Sequence, residues 1–242
     1  MSDKKAKKIM FTSGKGGVGK STLSTTFSKL LVAGGDKVLI IDFDVSLRTL
    51  DIMLGVSTLV VYDWGDVIDD VCNSQTAIIS KNGLDLLAAP NKSIKPTSDD
   101  IKRLISFYED NYDYIILDCP AGVGEILDLT LSVADLAIVV STPDFVCVHS
   151  ASVAAEKIND AGVESRLLIN KFKKNITSSG RALSVDDVID ATETQLIGIV
   201  PEDLYLSLSL LNGEMLDANL KSVKAMSRVV QRVKGKYIKL KI

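Results

Sequence analysis

The sequence predicts an α/β fold: one domain built on a mostly parallel, doubly wound sheet flanked by helices. Three observations predict it. Short solid apolar runs alternate with longer segments of helical period, as expected of strands buried on both faces and joined by crossover helices. A glycine loop follows the first apolar run and opens directly into a helical segment. Two later apolar runs end in acids, at the carboxyl ends of strands, where sheets of this kind bind ligands.

Taken in order, the apolar runs predict strands over 8–12, 37–42, 84–88, 114–118, 136–141, 166–170 and 196–200. Helical periodicity predicts helices over 20–33, 60–71, 98–109, 125–133, 148–160, 185–191 and 220–234. The helix near residue 98 has the clearest start, with Pro96 and Thr97 ahead of Ser98, Asp99 and Asp100. No Pro/Ser/Gly-rich linker divides the chain and no internal repeat is visible, so 1–242 reads as a single domain ending in a short basic tail over 235–242.

The composition narrows the function classes. The 242 residues are long enough to bury a core without staples. With 46% hydrophobic and 24% charged residues the chain reads as globular. A net charge of −3 argues against a uniformly cationic nucleic-acid binder, although 221–242 carries eight Lys or Arg and no acid. Cys72, Cys119 and Cys147 form neither a C-x-x-C pair nor an even set, which points away from a disulfide framework or zinc site and towards a reducing cytosol. No run approaches the roughly 18 apolar residues of a membrane span. His149, the one histidine, stands at a predicted helix start with no nucleophile beside it, and reads as structural or exposed.

The loop Ser13-Gly14-Lys15-Gly16-Gly17-Val18-Gly19-Lys20-Ser21-Thr22 fits G-x-x-x-x-G-K-[ST] between a strand and a helix. At ordinary residue usage the four fixed positions arise by chance in roughly one chain in a hundred of this length. The glycines are expected to take positive φ, so that successive amides cradle phosphate oxygens. The helix N-terminus adds to that field. Lys20 is placed to neutralise β- and γ-phosphates, and the Ser21 hydroxyl to meet magnesium. ATP and Mg2+ are therefore the expected ligands.

The second strand ends Asp42-Phe43-Asp44, and side chains two apart on a strand face the same way. The fourth ends in Asp118. Each acid could be a cap or turn former. Together with a phosphate loop they read as a shell for magnesium and the attacking water.

Lys15 is surplus to a plain phosphate loop, and a second cation beside Lys20 is costly unless phosphate compensates both. The stretch Lys15-Gly16-Gly17-Val18-Gly19-Lys20-Ser21-Thr22 resembles the deviant Walker A motif of the ParA/MinD family of ATPases. The resemblance implies that Lys15 reaches across an ATP-dependent homodimer to the partner's nucleotide; the bland alternative is a solvated loop lysine. It also implies that Asp118 is the Walker B acid, Asp42 a magnesium-shell acid and Asp44 the switch I aspartate that positions water. Asn170, which could equally be a turn residue, matches the base-reading asparagine. Pro201, Glu202 and Asp203 match a segment lying against the adenine.

The stretch 42–55 further resembles switch I of the MinD branch, with 118–122 and 183–188 in the same order. This implies a nucleotide switch in division-site placement, acting at the inner face of the membrane with a division inhibitor and regulators. Partitioning of DNA or cargo, or a scaffold that holds nucleotide without hydrolysis, are the alternatives. The chain departs from the branch at Ser46 and Thr49, at Glu125, at 149–152, and in the tail, which is shorter than the family's membrane-inserting helix. There Tyr237, Ile238, Leu240 and Ile242 alternate with lysines, as a solvated or strand-paired end or as a reduced contact with an anionic membrane surface.

Overall fold

A computed structural model describes residues 5–92, 94–175 and 182–240. Its sheet has eight strands: β1 (Lys7–Ser13), β2 (Val38–Asp42), β3 (Ile78–Lys81), β4 (Leu84–Leu87), β5 (Tyr114–Ala121), β6 (Leu136–Ser141), β7 (Ser165–Phe172) and β8 (Leu196–Pro201). Their order is β3-β4-β2-β5-β1-β6-β7-β8, and every neighbouring pair is parallel except β3 with β4.

Strand pleating divides the core into two layers. In β1, Ile9 and Phe11 enter one cluster and Met10 the other; in β2, Val38 and Ile40 part from Leu39 and Ile41 in the same way. The first layer is roofed by α1 (Lys20–Ala33), and the second includes residues of α3 (Trp64–Ile68), α4 (Ser98–Ser106), α5 (Glu125–Leu131) and α6 (Phe145–Asp160). Short α2 (Leu50–Met53) follows β2; α7 (Val185–Thr192), α8 (Leu204–Leu211) and α9 (Lys221–Val233) complete the described helices.

All seven expected strands form, and α1 spans 20–33 as its period indicates. Four differences have local causes. The helix expected over 60–71 shrinks to α3, because the Asp63 carboxylate accepts from the amides of Gly65 and Asp66 and fixes the start there, in a reciprocal capping box with Asp66. Helix α6 begins three residues early, where Asp144 accepts from the Cys147 amide. Strand β3 was not expected. It pairs antiparallel with β4 across Asn82-Gly83, both at positive φ, a pairing that favours a two-residue hairpin turn. Helix α8 was also not expected, since its leucines follow no clear helical stripe; Asp203 caps it.

In α9 the expected stripe is buried at Val223, Met226, Val230 and Val233, while Leu220 sits at the N-cap. The tail is tied down. The Arg232 guanidinium donates to the carbonyls of Ile238 (3.0 Å), Lys239 (3.0 Å) and Ile197 (2.8 Å). Tyr237 remains 96% exposed. Ile242 lies outside the described residues. Among those described, no helix is long and apolar enough to cross a membrane.

Candidate functional site

The sheet's winding reverses at β1, whose carboxyl end feeds the loop and α1, with β5 on one side and β6 on the other. A cleft of about 600 Å³ opens there, bordered by Gly16 to Thr22, Asp44, Leu47, Asn170 and the 200–204 segment. Its size suits a small-molecule ligand.

Only two of the loop glycines adopt positive φ, Gly17 at 82° and Gly19 at 92°. Gly14 and Gly16 do not, contrary to the expectation for all four. Gly14 is required by packing, since a Cβ there would come within 1.9 Å of the Ser150 carbonyl oxygen on α6. Gly16 meets open space. The loop is braced from β7: the Asn170 side-chain amide donates to the Val18 carbonyl at 2.8 Å, and Lys171 Nζ to the Gly17 carbonyl at 2.7 Å. Asn170 therefore borders the cleft and buttresses the loop at once, with its amide nitrogen turned to the loop.

At the start of α1, Lys20 is buried and pairs with the wholly buried Asp118 at 3.0 Å. Lys20 also donates to the Ser21 hydroxyl at 3.0 Å, and that hydroxyl donates to Asp118 at 2.6 Å. Ser24, one turn on, donates to the other Asp118 oxygen at 2.9 Å. Burial acts to lower the Lys20 pKa, but the charge and hydrogen bond of Asp118 outweigh it and the net shift is upward. The ammonium stays charged.

Asp42 stands beside Asp118 in register, almost fully buried. Its two oxygens accept from the amides of Asp44 (2.9 Å) and Leu50 (3.2 Å), so the carboxylate organises the turn after β2 and does not border the cleft. Its backbone carbonyl accepts from the Trp64 indole at 2.8 Å. Burial first, then the Asp118 charge, push its pKa up to about 7, against the two amides and Lys20. Asp44 does reach the cleft, with one oxygen accepting from Leu47 N at 3.2 Å.

Lys15 stands apart. It is exposed and borders a neighbouring depression with Asp144 and Cys147 in place of the main cleft. The Asp144 carboxyl lies below its ordinary range: burial would raise it, but hydrogen bonds from Thr142 and Cys147 and the charge of Lys15 prevail. Pro201, Glu202 and Asp203 all border the main cleft. Glu202 is ion-paired to Lys173. The Asp203 side chain is taken up as the α8 cap and by Ser222 Oγ at 2.7 Å. His149 is exposed.

Sequence reasoning missed Lys171 and Ser24. Ser24 was discoverable, three positions after Ser21 and thus on the same helix face. Lys171 carried no signal, because its role depends on a positive φ of 52°.

The donor set fits magnesium held largely by phosphate and water. No group of three His, Cys, Asp or Glu among the described residues could cage a metal. Ser21 and Asp118 supply hard oxygens, the type Mg2+ prefers, and few of them, as is usual where phosphates complete the shell.

A phosphate loop opening a helix at the reversal of a parallel sheet defines a P-loop nucleotide-binding protein. An AAA domain family model matches residues 6–171. The septum site-determining protein MinD of Helicobacter pylori is 34% identical over 95% of this chain and 91% of its own length. MinD of Bacillus subtilis is 30% identical over 97% and 91%. Among solved structures, the MinC:MinD cell division protein complex of Aquifex aeolicus superimposes with a TM-score of 0.91 at 31% identity, covering 98% of this chain and 99% of that one. MinD of Pyrococcus horikoshii complexed with Mg-ADP gives 0.84 at 25% identity, over 94% and 96%. The chain belongs to the MinD/ParA family of P-loop ATPases, and within it the chain is MinD-like.

Proposed function

We propose that the protein is a Mg-ATP-driven dimerising switch that acts in division-site placement by recruiting a division inhibitor at the membrane surface. The observation that carries this reading is the division of labour between two lysines of one loop. Lys20 is bound into the Asp118–Ser21 network of its own cleft. Lys15 is exposed beyond it, where a second subunit could receive it.

Lys20 would turn its charge to the β- and γ-phosphates, and the loop amides, braced by Asn170 and Lys171, would hold the phosphate oxygens in a fixed cradle. Bound magnesium would supply neutralisation of phosphate charge, with Ser21 and Asp118 as the residues of its shell; Asp42, expected from the sequence to join them, instead holds the turn behind Asp118 through the amides of Asp44 and Leu50. Asp44 would position the water that attacks the γ-phosphate; geometry and electrostatics, more than strong base chemistry, govern phosphoryl transfer. Asn170 and 201–203 would border the adenine.

The basic tail supports a surface role, since each Lys or Arg near an anionic membrane contributes about 1 kcal/mol, and a dimer presents two tails. Co-sedimentation with anionic liposomes and, in parallel, with duplex DNA tests this, each with and without ATP. ATP-dependent, salt-sensitive liposome binding that is lost on removing 237–242 is expected. Binding to DNA alone would favour a partitioning role.

A further inference from the structure

A second cavity, of about 250 Å³, lies at the far end of α1 from Lys20. Its walls are apolar, from Leu30 and Val32 of α1, Leu54, Leu84, Leu216 and Val223. Two backbone approaches frame it, one at ordinary packing distance and one tight. Gly213 packs on Gly55, where a Cβ on either residue would come within 3.4–3.6 Å of the other's Cα. The Asn82-Gly83 turn closes on Val32, 3.1 Å from where a Gly83 Cβ would stand.

Two cations stand at this apolar cavity, Lys29 and Lys81. Neither makes an ion pair among the described residues. The Lys29 ammonium donates to a backbone carbonyl, that of Glu214, at 2.8 Å. The nearby acids are otherwise engaged. Glu214 accepts from the Asn212 amide, Asp217 from the Asn219 backbone, and Asp85 from Ser80 and Tyr112. Asp85 is adjacent to Leu84 on β4 and so points to the opposite face of the hairpin. Burial and then the like charge of Lys81 hold Lys29 below its ordinary pKa, with no acid opposing them. Two like charges at an apolar cavity, without an ion-pair partner among the described residues, are the complement of an anion carrying an apolar chain.

We propose that this cavity binds a single-chain carboxylate amphiphile, its chain among Leu30, Leu54, Leu84 and Leu216 and its carboxylate between Lys29 and Lys81. At the roughly 30 Å³ a water molecule takes in the liquid, the cavity holds a chain of about eight heavy atoms. The ligand class is thus a medium-chain fatty acid, free in solution. A bilayer lipid would leave most of its chains outside.

Isothermal titration calorimetry with octanoate, 1-octanol and octylammonium tests this on the full chain. Saturable one-to-one binding of octanoate is expected, with octanol at least tenfold weaker and octylammonium not binding. Lys81→Gln should weaken octanoate at least tenfold without changing the unfolding midpoint. Ala33→Leu, which adds bulk at the exposed rim of the cavity, should weaken binding while nucleotide affinity is retained. Lys29→Gln serves as a second charge variant if Lys81→Gln unfolds. Equal binding of octanoate and octylammonium, or octanoate binding unchanged in both lysine variants, would overturn the proposal. So would the absence of saturable octanoate binding.

Discussion

The two ends of the phosphate loop differ more than the four residues between Lys15 and Lys20 suggest. At the α1 end, Lys20 is buried and every neighbour fixes it: Asp118 at 3.0 Å, Ser21 at 3.0 Å, and Ser24 behind Asp118. At the β1 end, Lys15 is exposed, with the charge of Asp144 and the Cys147 thiol close by. A buried, networked cation is committed to its own cleft before any ligand arrives. An exposed cation is free to serve a surface that arrives later. The loop thus combines a fixed half, which the proposed switch assigns to phosphate, with an exposed half, which it assigns to a second subunit.

Substitution at the two ends should separate these roles. Lys20→Met would strand Asp118 beside Asp42 in the core. Removing one partner of such a buried pair costs about 3–5 kcal/mol, and nucleotide binding should be lost as well. Lys15→Ala should stay within about 0.5 kcal/mol of the parent, as exposed sites usually do. Urea unfolding of both variants without nucleotide, alongside titration with a fluorescent ATP analogue, checks the contrast. Equal destabilisation by the two would break it.

Asp44→Ala tests the fixed half at its reactive edge. Binding should persist while single-turnover hydrolysis falls by roughly one to three orders of magnitude, because positioning of the attacking water supplies much of such catalysis. An unchanged rate would remove Asp44 from its proposed role.

The Asp42–Asp118 pair should give the nucleotide-free protein an unusual pH dependence. The folded pKa of Asp42 is raised to about 7, against about 3.9 in an unfolded chain. Between those values the folded state keeps a proton that the unfolded chain has released. Stability therefore falls as pH rises through this window, by up to about 1.36 kcal/mol per unit. Asp42→Asn should flatten that slope between pH 5 and 7 in denaturant midpoints. A slope that survives in the asparagine variant would place its origin elsewhere.

The smallest expected effect is a contrast between two glycines of the loop. Gly14→Ala drives a methyl into the Ser150 carbonyl and should cost about 1–3 kcal/mol, the range for overpacking. Gly16→Ala meets nothing within 4 Å at an ordinary φ and should be close to neutral in thermal melts.

The legibility of the molecule from its sequence follows the same physical divide. The central strands were readable because burial on both faces leaves solid apolar runs, and Lys20, Ser21 and Asp118 because chemistry fixes their spacing. The edges were not. Strand β3 carries no fully buried residue, so its apolar signal is weak, and the Asn82-Gly83 turn that sets its pairing went unread. Helix α8 buries Leu206 and Leu210 and exposes Leu204, Tyr205, Leu208 and Leu211, so apolar residues on both faces hide its helical period. The inward role of Asp42 and the brace from Lys171 depend on turns whose geometry no local pattern specifies.

The central claim, that Lys15 acts on a second subunit while Lys20 serves its own, is tested most directly by mass. Light scattering of the parent chain with Mg2+ and a non-hydrolysable ATP analogue is expected to give a dimer, and a monomer with ADP. Lys15→Ala is expected to bind the analogue with nearly parental affinity and remain monomeric. A Lys15→Ala protein that dimerises as the parent does, or one that no longer binds the analogue as a monomer, would contradict the account.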